Sequence, residues 1–216
     1  MKDKKDKFFK LIKDSRSAVL VGPLLKKTEA QSINSPHLLL VDGGLDLATE
    51  YSLDANRSCF SVGDGDSSKG PLDEILPIIK DYSDLAYALS ILPEEVETVE
   101  LYGFLGGRLD HELCNFGEVF HYLKDKKNQT KVIIGPEVMA LSSGTWKLSK
   151  QGSFSLISFE DAEVKLTGDA VFELGQWTKI KAFSSHGLSN EGSGIIELHL
   201  RSPILLYGAG FIFKDE

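Results

Sequence analysis

Apolar and polar positions follow two different rhythms along this chain. In the first 130 residues, short apolar runs end in glycine-rich turns, as in "SAVLVG", "HLLLVDGG", "CFSVGDGDSS" and "VELYGFLGGRLDH". The longer segments between these runs carry apolar residues three or four positions apart, a spacing typical of helices. Alternation of buried strands with helices predicts an α/β domain with a mainly parallel, Rossmann-like sheet and helices on both faces.

Three segments of this first part carry the helical spacing. One lies at the N-terminus, one runs from Leu72 to Leu92, and one runs from Glu112 to Lys127. Each predicts an amphipathic helix with one buried face. The residues expected to face inward are Phe8, Phe9, Leu11 and Ile12 in the first segment, Ile75, Ile79, Leu85, Ala86 and Leu89 in the second, and Leu113, Phe116, Val119, Phe120 and Leu123 in the third.

From about residue 131 the apolar runs are short, often alternate with polar residues, and are separated by Gly, Ser or Asp. This pattern predicts an all-β sandwich or barrel. In "GIIELHLR", for example, Ile196, Leu198 and Leu200 share one face of a predicted strand. The chain is therefore expected to form two domains, an α/β domain over residues 1–130 and an all-β domain over residues 131–216.

Composition narrows the class of protein. Of 216 residues 42% are hydrophobic, enough for a large core, and the net charge of −8 argues against a non-specific nucleic-acid binder. The apolar run from Ala18 to Leu25 is broken by Gly22 and Pro23, and no run reaches the roughly 18 apolar residues of a membrane span. The two cysteines show neither zinc spacing nor a disulfide framework. We expect a cytoplasmic protein with neither membrane nor nucleic-acid partners.

Candidate chemistry is concentrated where the predicted parallel strands end. Ligands of open parallel sheets bind outside the carboxyl ends of the strands, where the loops meet. Several carboxylates that meet there repel one another unless a cation lies between them, and Mg²⁺ bound to phosphate is the usual cation. The residues at these ends are Asp42 with Gly43 and Gly44, Asp64 and Asp66 around Gly65, Lys80, Ser83 and Asp84 before a helix, and Gly107, Arg108, Asp110 and His111 after the last strand.

Each of these stretches has a simpler interpretation when it is taken alone. Asp-Gly-Gly and Gly-Asp-Gly-Asp are ordinary compositions for solvated turns. Two pairs of residues are also suited to begin helices. These are Ser83 with Asp84, and Asp110 with His111, whose helix would begin near Glu112. The predicted meeting of several acidic strand ends in one α/β domain favours a site for metal and phosphate over isolated turns.

Taken in order, the motifs "VDGG", "GDGDSS", "KDYSDLAYAL" and "GGRLDH" followed by Asn115 resemble the catalytic domain of the thiamine pyrophosphokinase family. The second half of the chain, with "HGLSNEGSGIIELHL", resembles the thiamine-binding β domain of that family. The resemblance covers nearly the whole chain. It implies transfer of a diphosphate from ATP to the hydroxyl of thiamine, with Mg²⁺ as cofactor, AMP as the second product, and a homodimer in which both subunits contribute to each thiamine site.

The resemblance also implies roles for individual residues. Asp64, Asp66 and Asp84 correspond to the metal and phosphate ligands, and Arg108 corresponds to the residue that holds the polyphosphate. Asp110 corresponds to a base or orienter of the reacting hydroxyl. Around the nucleotide the resemblance places Asp42, Gly43, Gly44, Lys80, Ser83, Gly107, His111 and Asn115, and at the thiamine pocket it places Ser189, Asn190 and Phe172, with Trp177 slightly beyond.

Two other classes of function fit the same residues. A metal-dependent nucleotide hydrolase or sugar-nucleotide transferase would use Asp64 and Asp66 without a thiamine pocket. A non-catalytic thiamine-binding regulator would keep the fold without turnover. Gly65 stands where the family has a bulky aromatic residue, and Ser83 stands where it has threonine. The acids are thus matched more closely than the substrate pocket.

Overall fold

The computed structural model describes residues 2–214 and divides the chain into two compact units, Met1–Tyr122 and Leu123–Glu216. The elements of the first part are α1 Lys2–Ser15, β1 Ser17–Val21, α2 Lys27–Ser32, β2 His37–Val41, α3 Gly44–Glu50, β3 Ser58–Gly63, β4 Glu74–Ile75, α4 Asp84–Ser90, β5 Thr98–Tyr102 and α5 Leu109–Lys124. The elements of the second part are β6 Lys131–Ile134, β7 Val138–Leu141, β8 Gly144–Ile157, β9 Ala162–Ala170, β10 Leu174–Ile180, a 3₁₀ turn Ser185–Gly187, β11 Asn190–Leu200, β12 Ile204–Tyr207 and β13 Ile212–Phe213.

Parallel strands form the centre of the first unit, in the order β5-β1-β2-β3-β4. Each of the first two strands has four consecutive buried residues, Ala18–Val21 in β1 and Leu38–Val41 in β2. Such unbroken apolar runs are what strands covered on both faces require. This parallel arrangement brings the carboxyl ends of β2, β3 and β5 to one edge of the sheet.

One predicted helix is wrong over half of its length. Between Leu72 and Ser83 the chain forms the short strand β4 and loops, and only α4 is helical. Pro77 lacks the N–H that a helix interior needs, and Glu74 and Ile75 pair with β3 instead. Ile75 and Ile79, expected inside, are 74% and 95% exposed.

The other two predicted helices form, and all but one of the residues expected to face inward are at least partly buried. Phe8 and Ile12 of α1 are buried, as predicted. Helix α5 begins at Leu109 rather than near Glu112, so Asp110 and Glu112 both lie in its first turn. Leu113, expected to face inward, is 46% exposed.

Antiparallel strands form the second unit, in the order β10-β9-β11-β8-β12-β7-β6, with β13 on β8. The prediction for β11 is confirmed, because Ile196, Leu198 and Leu200 are buried in the core of this unit. Over the chain as a whole the strand pairing is mixed rather than mainly parallel. Along residues 2–214, the structure contains no helix with the length and apolar character that crossing a membrane requires.

Candidate active site

A cavity of about 370 Å³ lies in the first unit, where β2, β3 and β5 end. We call it the acidic cavity. It collects loops that are far apart in sequence because the parallel strands deliver them to one edge of the sheet. The predicted site residues that line it are Asp42, Asp64, Asp66, Lys80, Ser83, Asp84, Arg108, His111 and Asn115.

Three carboxylates of the acidic cavity are close enough to share one cation. One oxygen each of Asp42, Asp64 and Asp66 lies within 4.8 Å of the others. Asp42 is only 8% exposed, and its Oδ1 atom is buried with no hydrogen-bond partner in the described part of the chain. Burial raises the pKa of Asp42, and the neighbouring Asp66 and Asp64 raise it further. A set of hard oxygen donors with an unsatisfied oxygen fits Mg²⁺.

Backbone geometry at this cluster depends on small residues. Asp42 has a left-handed φ of 50°, a strained conformation for a residue with a side chain. A Cβ on Gly63 would lie 2.9 Å from Cα of Asp42, so β3 can approach Asp42 only with glycine there. Gly65, between the two loop acids, has φ +80°, which glycine adopts without strain. Glycine at positions 63 and 65 therefore allows the three acids to lie close together.

Lys80 supplies a positive charge between two of the acids. Its Nζ atom lies 2.6 Å from Oδ2 of Asp64 and 3.2 Å from Oδ1 of Asp84. The hydrogen bond from Lys80 lowers the pKa of Asp64. The pKa of Asp84 is raised by burial, which outweighs the ammonium. Ser83 begins α4 by accepting a hydrogen bond from Ala86 N, and so fixes the direction of Asp84.

Arg108 and Asp110 form an exposed pair at the start of α5. Arg108 Nη2 lies 2.6 Å from Asp110 Oδ2, and the two side chains are 73% and 62% exposed. The hydrogen bond from Arg108 lowers the pKa of Asp110 to about 2. A carboxylate with so low a pKa is a weak base near neutral pH, which favours orienting over proton abstraction.

The other residues that the sequence predicts around the nucleotide shape the backbone or form local hydrogen bonds. A Cβ on Gly44 would lie 2.1 Å from the carbonyl oxygen of Val21, so glycine lets α3 approach β1 closely. A Cβ on Gly43 would lie 3.2 Å from Cβ of Pro23. Asn115 Nδ2 donates to the carbonyl oxygen of Phe104 at 3.0 Å and thereby holds the loop after β5. His111 is exposed, and its backbone N–H donates to Asp110.

The three predicted thiamine residues lie in the second unit, where two of them, Asn190 and Phe172, are joined by hydrogen bonds. Asn190 Oδ1 accepts from Phe172 N at 3.0 Å, and Asn190 Nδ2 donates to Phe172 O at 2.8 Å. The amide of Asn190 thus fixes the backbone of Phe172, whose ring is left 62% exposed. Ser189 has a left-handed φ of 59°, and its N–H donates to Ser155. Trp177, the alternative aromatic residue, already has a partner, because the Arg201 guanidinium lies 4.2 Å from the centre of its indole ring.

Several residues of the acidic cavity were not predicted, among them Pro23, Leu24, Tyr82, Phe104 and Glu112. The apolar ones carry no chemical signature in the sequence. Glu112 has a weak signal, an acid in the first turn of a helix that follows two glycines. Its Oε1 atom accepts from the N–H groups of Gly106 and Gly107 at 2.6 and 2.8 Å.

Comparison with known proteins supports the fold. No protein-family model and no curated protein matches the sequence. Thiamine pyrophosphokinase from Bacillus subtilis matches over 89% of this chain and 98% of its own, with a TM-score of 0.64 and 21% identity. The enzyme from Candida albicans matches over 95% and 91%, with a TM-score of 0.66 and 13% identity. The chain therefore has the fold of the thiamine pyrophosphokinases, in agreement with the resemblance of its four motifs.

Proposed function

We propose that this protein transfers a diphosphate group from ATP to thiamine. The hydroxyl oxygen of thiamine forms a bond to the β-phosphorus, and the bond from that phosphorus to the oxygen of the α-phosphate breaks. The products are thiamine diphosphate and AMP, and the hydroxyl proton passes to water. The observation that carries the proposal is the Asp42, Asp64 and Asp66 cluster, with its buried, unpartnered Asp42 oxygen.

Asp64, Asp66 and Asp84 would hold Mg²⁺, with Asp42 beside them. Bound Mg²⁺ neutralises charge on the phosphate oxygens and helps to orient them. The carboxylates on the protein side keep the metal at the carboxyl end of the sheet. The Oδ1 atom of Asp42 fits this role, because it is buried with no hydrogen-bond partner among residues 2–214.

Positive charge for the polyphosphate would come from Lys80 and Arg108. Lys80 lies within the acidic cavity, and Arg108 lines it from the start of α5. Both stabilise negative charge that moves from the β-phosphoryl group to AMP during the transfer. Asp110 would orient the thiamine hydroxyl, since its low pKa leaves it ionised.

Thiamine would be held by Ser189, Asn190 and the exposed ring of Phe172. We further propose the division of labour expected from the sequence, with residues 1–130 as the catalytic domain and residues 131–216 as the thiamine-binding and dimerisation domain. A homodimer in the cytoplasm completes the proposal. The fold shared with thiamine pyrophosphokinases supports these points.

One assay separates this proposal from its rivals. The purified protein is incubated with ATP, Mg²⁺ and thiamine, and AMP and thiamine diphosphate are quantified together. We expect both products in equal amounts, and neither in EDTA. AMP formation that does not need thiamine would instead indicate a nucleotide hydrolase. Thiamine binding without any AMP would indicate a regulatory protein, and either result would refute the proposed transfer.

Phe172→Ala is expected to raise the KM for thiamine roughly tenfold with little change in kcat, because an exposed aromatic ring contributes about 1 kcal/mol or more by stacking on a flat ligand. The ring is 62% exposed, so its loss should leave folding intact. Phe183→Ala is the matched control, since Phe183 is 64% exposed in the same unit. An unchanged KM in Phe172→Ala would transfer the stacking role to Trp177.

A further inference from the structure

Two neighbouring backbone N–H groups, those of Gly106 and Gly107, donate to the same oxygen of Glu112. The donor-to-Oε1 distances are 2.6 Å and 2.8 Å. Consecutive N–H groups that converge on one point form a nest, an arrangement that binds anionic oxygen in proteins. We call this pair of N–H groups the glycine nest. In this structure a carboxylate of the chain itself fills the glycine nest.

The glycine nest depends on its two glycines. Gly106 has φ +92°, in the left-handed region that side chains disfavour. A Cβ on Gly107 would lie 2.6 Å from Cδ1 of Leu24, so the flexible end of that side chain would have to move. Glycine is therefore required at one position by backbone conformation and favoured at the other by space. The convergence of the two N–H groups is thus specified by the sequence.

The glycine nest lies beside the acidic cavity. Leu24, Arg108 and Glu112 all line that cavity. The same cavity contains Asp42, which is 8% exposed and has a buried oxygen without a partner among the described residues. That orphaned oxygen is an independent indication of a bound cation, and a cation complexed with phosphate brings anionic oxygens into the same cavity.

A helix N-terminus and one lysine side chain lie close to the glycine nest. The glycine nest precedes the N-terminus of the 16-residue helix α5, the end at which the helix dipole favours negative charge. The Nζ atom of Lys26 lies 3.5 Å from the place where a Cβ on Gly106 would be. Glu112, by contrast, adds a fifth carboxylate to a cavity that is already lined by Asp84 and by the Asp42, Asp64 and Asp66 cluster. Its charge therefore opposes the entry of a polyphosphate.

We propose that Glu112 is a placeholder. Its carboxylate occupies the glycine nest until a phosphate oxygen of a magnesium–nucleotide complex displaces it and takes over both hydrogen bonds. The proposal rests on the proposed function only in naming the anion as a nucleoside polyphosphate. When phosphate replaces the Glu112 carboxylate, the glycine nest makes the same number of hydrogen bonds before and after. Glu112 therefore adjusts the affinity for nucleotide, whereas the nest itself provides the site.

A purely structural role for Glu112 has the opposite consequence. If its carboxylate only braces the loop before α5, then its removal loosens the loop and weakens nucleotide binding. If it is a placeholder, then its removal frees two N–H donors and takes away a repelling charge, and nucleotide binding becomes tighter. The sign of the change in Kd therefore separates the two roles.

The test compares full-length wild type with Glu112→Ala and Glu112→Gln. Glu118→Ala is the matched control, because it removes the same charge from the same helix outside the acidic cavity. Calorimetry measures the Kd of the magnesium complex of α,β-methylene-ATP, in which the bond broken in the proposed transfer is blocked. We expect Glu112→Ala to bind about tenfold more tightly, Glu112→Gln to fall between it and wild type, and Glu118→Ala to match wild type.

Amide NMR signals of Gly106 and Gly107 give a second readout, which loop bracing alone would not move in the same way. In Glu112→Ala without ligand, both signals should lose the shift caused by the carboxylate. After the analogue is added, they should reach the positions seen in the ligand-bound wild type. Signals that stay unchanged when the wild type binds the analogue would overturn the proposal.

Weaker or unchanged analogue binding by Glu112→Ala would also overturn it, as would a failure of both proteins to bind. The proposed function can fail separately. Tighter binding by Glu112→Ala in a protein that forms no thiamine diphosphate would leave the placeholder standing and refute the transfer to thiamine.

Discussion

Asp66→Asn should lower kcat for thiamine diphosphate formation by between about a hundredfold and a thousandfold while the protein stays folded. Asp66 is the exposed member of the cluster with Asp42 and Asp64. Asparagine keeps the size of the side chain but removes the charge that a Mg²⁺ ligand supplies. Removal of one of three crowded like charges relieves repulsion, so the free energy of unfolding should stay equal or rise slightly.

The measurement is a steady-state assay at saturating ATP and thiamine, together with urea denaturation of the same preparation. Asp14→Asn is the control, because Asp14 is an exposed acid on α1 away from the acidic cavity. Near-normal turnover of Asp66→Asn would contradict the assignment of this acid to the metal. A variant that lost both turnover and stability would indicate a structural role instead.

The sequence predicted the positions of the acids better than the segment that joins them. Asp42 and Asp64 directly follow buried strands, and Asp66 lies two residues beyond Asp64. A parallel sheet leaves little freedom in where strand ends lie, so the three acids meet as expected. The segment from Leu72 to Ser83 was predicted as helix because apolar spacing alone does not register Pro77. It instead forms the edge pairing of β4 with β3.

Side-chain partners inside the acidic cavity could not be predicted from patterns. Lys80 pairs with Asp64 across 16 positions of sequence, and Glu112 turns back to a loop that precedes its own helix. Both contacts depend on rotamers and on loop conformation rather than on periodicity. Motifs therefore indicated which chemistry is present, and the fold was needed to show which charges neutralise one another.

Lys80→Met should lower the free energy of unfolding by about 2 to 3 kcal/mol in EDTA, and Mg²⁺ should restore much of that loss. The ammonium lies against Asp64 and Asp84, and the three side chains are only 8%, 12% and 17% exposed. Methionine keeps most of the volume but leaves two carboxylates without their cation. Removal of one partner from a more deeply buried ion pair costs about 3 to 5 kcal/mol, and the remaining exposure reduces that figure.

Mg²⁺ is the informative addition because it binds the folded site and stabilises it in proportion to its affinity. In wild type, Lys80 already neutralises part of the charge, so millimolar Mg²⁺ should raise the urea midpoint only slightly. In Lys80→Met the same carboxylates are free to bind the metal, so the rise should be clearly larger. Ca²⁺ should help less if the site favours the smaller ion, and Na⁺ at equal ionic strength should not help.

Two spectroscopic probes follow the two units during denaturation. Far-ultraviolet circular dichroism follows the helices, of which α1–α4 lie in the first unit, whereas tryptophan fluorescence follows the second unit, which contains Trp146 and Trp177. The dichroism midpoint should carry the Mg²⁺ effect. Lys10→Met, which alters an exposed lysine on α1, should leave it unchanged. Equal gains from Mg²⁺ in wild type and Lys80→Met would show that the ammonium and the metal do not compete. The assignment of Asp64 and Asp84 to a shared cation site would then fail, since an ion held by those two carboxylates must feel the charge that Lys80 places between them.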